Sequence, residues 1–227
     1  MNEETAGRSR FVKSRLDIKI IVVGDSGTGK TSFCNQWMKG IFTDEYKATI
    51  MSEFSNKIYN RNGNYYRVQM WDLAGQDRNI NTTKIFSKNS HGCLILCDAT
   101  LPETLENTLK WKKSIDDNAK FIDGSDLPII LVQNKTDLLK DDQDEILKSY
   151  VDNNNFLTYT KTSCKNNENI NETMDYLLTN IIDRLEEYYK NINVDLNESK
   201  RNTSIVEQNA VLGHDLIQGS GKTFGCC

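Results

Sequence analysis

The sequence has no excess of positive charge: 28 lysines and arginines stand against 32 aspartates and glutamates, a formal net charge of −4. Such a chain has no basic stripe to track a phosphodiester backbone, so nucleic acid is not an expected partner. No apolar run approaches the ~20 residues that a bilayer-crossing helix needs. Met1 to Arg15 lacks the apolar core of a secretory leader, and the expected compartment is the cytosol. Cys34, Cys93, Cys97 and Cys164 show no metal-type pairing. In a reducing compartment they read as free thiols filling small spaces. There is no internal repeat, and short asparagine runs such as Asn153-Asn154-Asn155 read as loop or helix-end filler.

What is present is an alternation. The 227 residues suffice for one sheet-and-helix domain with a tail. Residues 1–16 are polar and read as a flexible leader, 17–189 as the domain, and 190–227 as a flexible tail. Ile18 to Gly24 reads as a strand ending at glycine, and Lys30 to Lys39 as the helix after it. Met51 to Asn60 and Tyr65 to Asp72 read as strands of a hairpin turning at Asn62-Gly63. Cys93 to Asp98, Ile129 to Asn134 and Phe156 to Thr160 complete six strands. Helical patterns run over Glu103 to Asp117, Asp141 to Val151 and Ile170 to Tyr189. Near-continuous apolar strands such as GCLILC suit a sheet covered on both faces. The expectation is an α/β, doubly wound, mostly parallel six-stranded sheet with helices on both sides.

Gly24-Asp25-Ser26-Gly27-Thr28-Gly29-Lys30-Thr31 satisfies G-x-x-x-x-G-K-[ST], between a strand and a helix. Glycines let the backbone curl so that successive N–H groups point at phosphate oxygens, and the helix adds its positive end. Lys30 reaches the outer phosphates, and the Thr31 hydroxyl can bind magnesium. This motif specifies a nucleoside triphosphate without naming the base.

Asn134-Lys135-Thr136-Asp137 closes an apolar strand, where open α/β sheets bind ligands. A carboxylate at Asp137 can accept two N–H bonds from the guanine edge, which adenine lacks; such mismatches discriminate by roughly 10⁴-fold. Lys135 can lay its aliphatic stem along the base. Thr162-Ser163-Cys164-Lys165 follows another strand and can offer backbone N–H groups to the guanine oxygen.

Together GDSGTGKT, Thr49, WDLAGQD, NKTD, TSCK and the terminal Cys226-Cys227 resemble the Ras-like small GTPases and, within them, the Rab family. The resemblance covers about Asp17 to Tyr189 and implies a P-loop GTPase fold, GTP or GDP with Mg2+, and slow GTP hydrolysis. It places Ser26, Gly27, Thr28, Gly29, Lys30, Thr31 and Ser32 around the phosphates, and Phe42 beside the guanine. Asn134, Lys135, Asp137, Ser163, Cys164 and Lys165 would hold the base. Thr31, Thr49 and Asp72 resemble the metal-holding set. Gly75 would feel the γ-phosphate through its N–H; the implied catalytic residues are Gln76, which would orient the attacking water, and Lys30 on the outer phosphates. No arginine lies in the segment leading from the phosphate loop to Thr49, so turnover without a partner's arginine is expected on the order of 10⁻⁴ to 10⁻³ s⁻¹. The alternative is a module that binds GTP with little hydrolysis.

Phe54, Trp71 and Phe86 match the aromatic positions by which Rab proteins show their state to effectors; plain hydrophobic packing is the rival reading. The chain departs from the family at Met51, where a glycine is usual, and at Asp77, Asn79 and TSCK. Thr104 to Lys112 and the long Gly124 to Pro128 loop look like the Rab thirty-two branch, which acts at lysosome-related and late endosomal membranes; Rab seven relatives carry a similarly long loop. In the family a terminal Cys-Cys takes two geranylgeranyl groups, and two chains are what reversible but firm anchoring needs. The tail has no polybasic patch, leaving the lipid to hold it. The implied partners are effectors, an exchange factor, a GTPase-activating protein and a GDP-dissociation inhibitor or escort protein. The implied state is a monomer that cycles between cytosol and endomembranes in vesicle trafficking.

Overall fold

A computed structural model describes residues 16–45, 49, 52–74, 80–139, 141 and 143–191, with side chains over 83–190 of the later part. Gly75, Gln76, Met51, Asp77, Asn79, Cys226 and Cys227 lie outside the described residues. Contacts divide the chain into a compact unit, Arg15–Glu186, and a second comprising Met1–Ser14 and Glu187–Cys227, of which only 187–191 are described.

Strand β1 (Leu16–Gly24) leads into helix α1 (Lys30–Lys39), followed by β2 (Glu53–Arg61) and β3 (Asn64–Asp72). Then come α2 (Ile80–Phe86), β4 (Gly92–Asp98), α3 (Pro102–Asp116) and β5 (Ile129–Asn134). A single 3₁₀ turn (Thr136–Leu138), α4 (Asp144–Asn153), β6 (Thr158–Lys161) and α5 (Ile170–Asn191) complete the order. The six strands form one sheet, ordered β2-β3-β1-β4-β5-β6. Only β2 runs antiparallel to its neighbour, and every other pairing is parallel. This is the doubly wound P-loop architecture that the strand–helix alternation implied. No helix among the described residues is long and apolar enough to cross a membrane.

Local chemistry accounts for the elements. Strands β4 and β5 are buried at every position, as parallel strands covered on both faces must be. The β2–β3 hairpin alternates instead, and turns at Asn62 (φ 51°) and Gly63 (φ 76°). Both φ values are positive, which is why Asn-Gly suits a two-residue turn. Helix α3 begins with Pro102 at its first turn, where no N–H is needed. The core joins Ile18, Ile20 and Val22 of the sheet to Phe33, Trp111, Ile115, Leu178 and Ile182 from the helices. Cys34, Cys93, Cys97 and Cys164 are buried free thiols, as composition led one to expect.

Most boundaries shift by one to three residues from the sequence pattern, and one helix was not foreseen. The strand drawn over Phe156 to Thr160 begins two residues later, because Phe156 is buried under α4 and stacks on Tyr150. Helix α2 had no sequence signal: its seven residues, INTTKIF, are too few to display a helical period and rich in weak helix formers.

Candidate functional site

The turn after β1 can be formed only by the glycines it contains. Gly24 has φ +138°, and a Cβ there would meet the Leu96 carbonyl oxygen at 2.3 Å. Gly29, at φ +94°, precedes α1, and its Cβ would meet Asn134 Nδ2 at 2.2 Å. The chain therefore doubles back close against β4 and β5, leaving the first α1 amides without intrahelical partners. Thr28 is fully buried, and its hydroxyl donates to the Asp25 carbonyl at 2.9 Å, so it presents backbone alone.

A cavity of about 520 Å³ opens at this turn. Most residues predicted to hold a nucleotide line it: the phosphate loop from Ser26 to Ser32 except Thr28, together with Phe42, Thr49, Asn134, Lys135, Asp137, Cys164 and Lys165. Ser163 is fully buried behind the wall.

At one end the ammonium of Lys30 donates to the Asp25 carbonyl at 2.7 Å. Burial lowers its pKa to about 8, against the opposing charges of Asp72 and Asp25. An ammonium so placed gains most from an incoming polyanion. Beside it Thr31 Oγ1 lies 2.7 Å from Thr49 Oγ1 and donates to Asp72 Oδ2 at 2.5 Å. Burial raises Asp72 to about 6, with the Thr31 hydrogen bond and Lys30 pulling the other way. Its second oxygen, Oδ1, is buried with no partner. Two hydroxyls and a carboxylate with an orphaned oxygen are all hard donors, the set a small divalent cation such as Mg2+ takes. The residues fit that ion.

At the other end Asn134 ties three segments together. Its Nδ2 donates to the Thr28 carbonyl at 2.9 Å, while Oδ1 accepts from Thr162 Oγ1 and Cys164 N, each at 3.2 Å. Lys135 takes φ +66°, and its ammonium pairs with Asp98 Oδ2 at 2.6 Å, leaving the aliphatic stem along the cavity wall. Burial alone would raise Asp98, but hydrogen bonds from Lys135 and Thr100 bring its pKa below the usual carboxylate range. Asp137 Oδ1 accepts from Ser163 Oγ at 2.6 Å. Ser163 N donates to Glu168 O within its own loop at 3.3 Å, while Cys164 N is taken by Asn134 across the site.

Asp98 escaped the sequence reading: one acidic residue ending a strand carries no motif, and only the fold brings it to Lys135. Trp71 stands between Phe54 and Phe86, with ring centroids 5.0 and 5.6 Å away. Phe54 is half exposed, and the Trp71 Nε1 is buried without a partner.

A model of the Ras family matches residues 19–183. Ras-related protein Rab-32A of Dictyostelium discoideum is 37% identical over 173 residues, covering 72% of this chain and 77% of that protein. Ras-related protein Rab-7L1 of Rattus norvegicus is 33% identical over 175 residues, covering 74% of this chain and 84% of that protein. Ras-related protein Rab-32 of Homo sapiens is 33% identical over 167 residues, covering 72% and 74%.

Proposed function

The chain belongs to the Ras family, as a Rab-like small GTPase that switches between GTP and GDP, and we propose that its cavity holds guanine nucleotide with Mg2+ in the orientation the motifs dictate. The carrying observation is convergence: the phosphate loop, the Asn134–Asp137 turn and the Thr31–Thr49–Asp72 cluster meet around one cavity. Asp137 keeps Oδ2 for the guanine edge, Lys135 lines the base, and Phe42 covers it. Lys30 and the amides of Gly27 to Ser32 take the phosphates. Thr31, Thr49 and Asp72 would hold Mg2+, which neutralises phosphate charge when bound.

Gly75 and Gln76 would act at the γ-phosphate and the attacking water. Ordering of the segments at Thr49 and Gly75 is the switch that hydrolysis releases. The hydrophobic face of Phe54, Trp71 and Phe86 receives effectors. Two lipids on Cys226 and Cys227 anchor the protein to the cytosolic face of an endomembrane, late endosomal or lysosome-related. An exchange factor, a GTPase-activating protein and a GDP-dissociation inhibitor act on the monomer. A module that binds without hydrolysing is not favoured, since the matched relatives belong to a family of GTP hydrolases.

The test is single-turnover hydrolysis by the purified protein in Mg2+. Phosphate release is expected on the order of 10⁻⁴ to 10⁻³ s⁻¹, slowed further by Gln76→Leu. No release over many hours from stably bound GTP would overturn the hydrolytic reading.

A further inference from the structure

No residue of α3 lines the cavity, yet α3 grips the turn that forms its phosphate end. The Asp25 carboxylate is held at both oxygens. Trp111 Nε1 donates to Oδ1 at 2.8 Å, and Asn107 Nδ2 donates to Oδ2 at 2.7 Å. The backbone of the same residue does a second job. Its carbonyl accepts from the Thr28 hydroxyl at 2.9 Å and from the Lys30 ammonium at 2.7 Å. Asp25 thus links a helix outside the site to the two side chains that shape the loop.

The donors are themselves fixed. Trp111 is 2% exposed. Lys110 Nζ donates to Asn107 Oδ1 at 2.7 Å, which sets the amide so that its nitrogen faces Asp25. One turn away α3 is secured to α4: Tyr150 Oη donates to the Leu105 carbonyl at 2.7 Å and lies 2.9 Å from Thr108 Oγ1. Hydrogen bonds to a carboxylate are about twice as strong as neutral ones. A carboxylate caught at both oxygens cannot rotate, so the peptide plane after Gly24 keeps its direction.

We infer that Asp25, clamped by Trp111 and Asn107, is a positioning residue that sets how long nucleotide stays in the phosphate loop. The inference rests on reading that loop as the polyphosphate cradle. Asp25 does not face the ligand itself; it acts through Thr28 and Lys30. Loosening the clamp frees the Asp25 carbonyl to swing, lets Lys30 and the loop amides wander, and speeds release.

The experiment follows dissociation of N-methylanthraniloyl-GDP from the full-length protein in Mg2+. Trp111→Phe keeps an aromatic, though smaller, ring and removes the N–H donor, and should speed release about tenfold. Asn107→Ala, at a partly buried position on α3, should speed it about three- to fivefold. Asp25→Asn keeps an acceptor for Trp111 and should fall nearer wild type than Asp25→Ala. In the Asp25→Ala background Trp111→Phe should add less than about twofold, because the clamp is already gone. Equal acceleration in both backgrounds would mean that Trp111 only packs, and would overturn the inference. So would unchanged release in both Trp111→Phe and Asn107→Ala while wild type binds the probe. Wild-type protein that does not bind labelled GDP would instead sink the reading of the loop, and the inference with it.

Discussion

At the β5 end of the cavity, Asn134, Lys135 and Asp137 are tied to Thr28, Asp98 and Ser163. At the α1 end, Asp72 keeps a buried oxygen with no partner, and Lys30 rests on a loop carbonyl. The base-facing end is largely shaped before any ligand arrives, since Asn134, Lys135 and one oxygen of Asp137 are held by neighbouring residues, leaving Asp137 Oδ2 for the base. The phosphate-facing end retains polar groups whose best partners are a polyanion and a cation. A preformed end confers selectivity, because no rearrangement is available to accommodate a wrong base. An end with unsatisfied groups ties binding to metal and protonation. Substitutions at the first end should therefore alter which nucleotide binds, and at the second the conditions under which it binds.

The largest effect is expected at Asp137. Asp137→Asn should weaken GTP on the order of 10⁴-fold and favour xanthosine triphosphate, whose extra carbonyl accepts from the amide. Unaltered preference for GTP in a competition assay breaks the comparison at its base-facing end. Next comes Asp72→Asn, which should lower Mg2+ affinity about 10- to 100-fold in a metal titration with GDP present. Here pH sharpens the contrast. Folded Asp72 titrates at about 6, above the ordinary 3.8, so the metal-free fold takes the proton before the unfolded chain does. Metal-free stability then gains from this group as pH falls from about 6 toward 4. Mg2+ needs the carboxylate, and its hold should weaken over that same window. Mg2+ titrations at pH 7 and 5.5 should separate for wild type and converge for Asp72→Asn; parallel behaviour would remove Asp72 from the cation site.

A smaller change is expected for Lys135→Met, which leaves Asp98 buried without its ammonium. The loss is about 1–3 kcal/mol, short of the full buried-pair value because Lys135 is a third exposed. Thermal melting without nucleotide measures it, and an unchanged midpoint would show that the pair does not stiffen the base end. Smallest of all, Cys226→Ser with Cys227→Ser should leave GDP affinity unchanged while abolishing recovery of the expressed protein in the membrane fraction. Continued membrane recovery would refute lipid anchoring.

Much of this was legible before the fold was known, for a physical reason. Gly24, Gly29 and Lys30 are demanded by close approach and phosphate geometry at fixed spacings, so they leave a string. Strands β4 and β5 leave runs because both faces are buried. What stayed hidden depends on the third dimension. Asp98 meets Lys135 only because β4 and β5 are neighbours in the sheet. Asp25 meets Trp111 across 86 residues of sequence. The amide of Ser163 is taken by Glu168 of the same loop and that of Cys164 by Asn134, partners that a four-letter pattern cannot show.

The four interior cysteines have a practical use that nothing in their packing was selected for. Burial raises Cys97 and Cys164 to about 12 and carries Cys34 and Cys93 well above the ordinary thiol range. Only the thiolate attacks an alkylating reagent, so maleimide should react with them no faster than the domain opens. Their labelling rate, compared with and without GDP, would report residence of ligand through the breathing of the whole sheet.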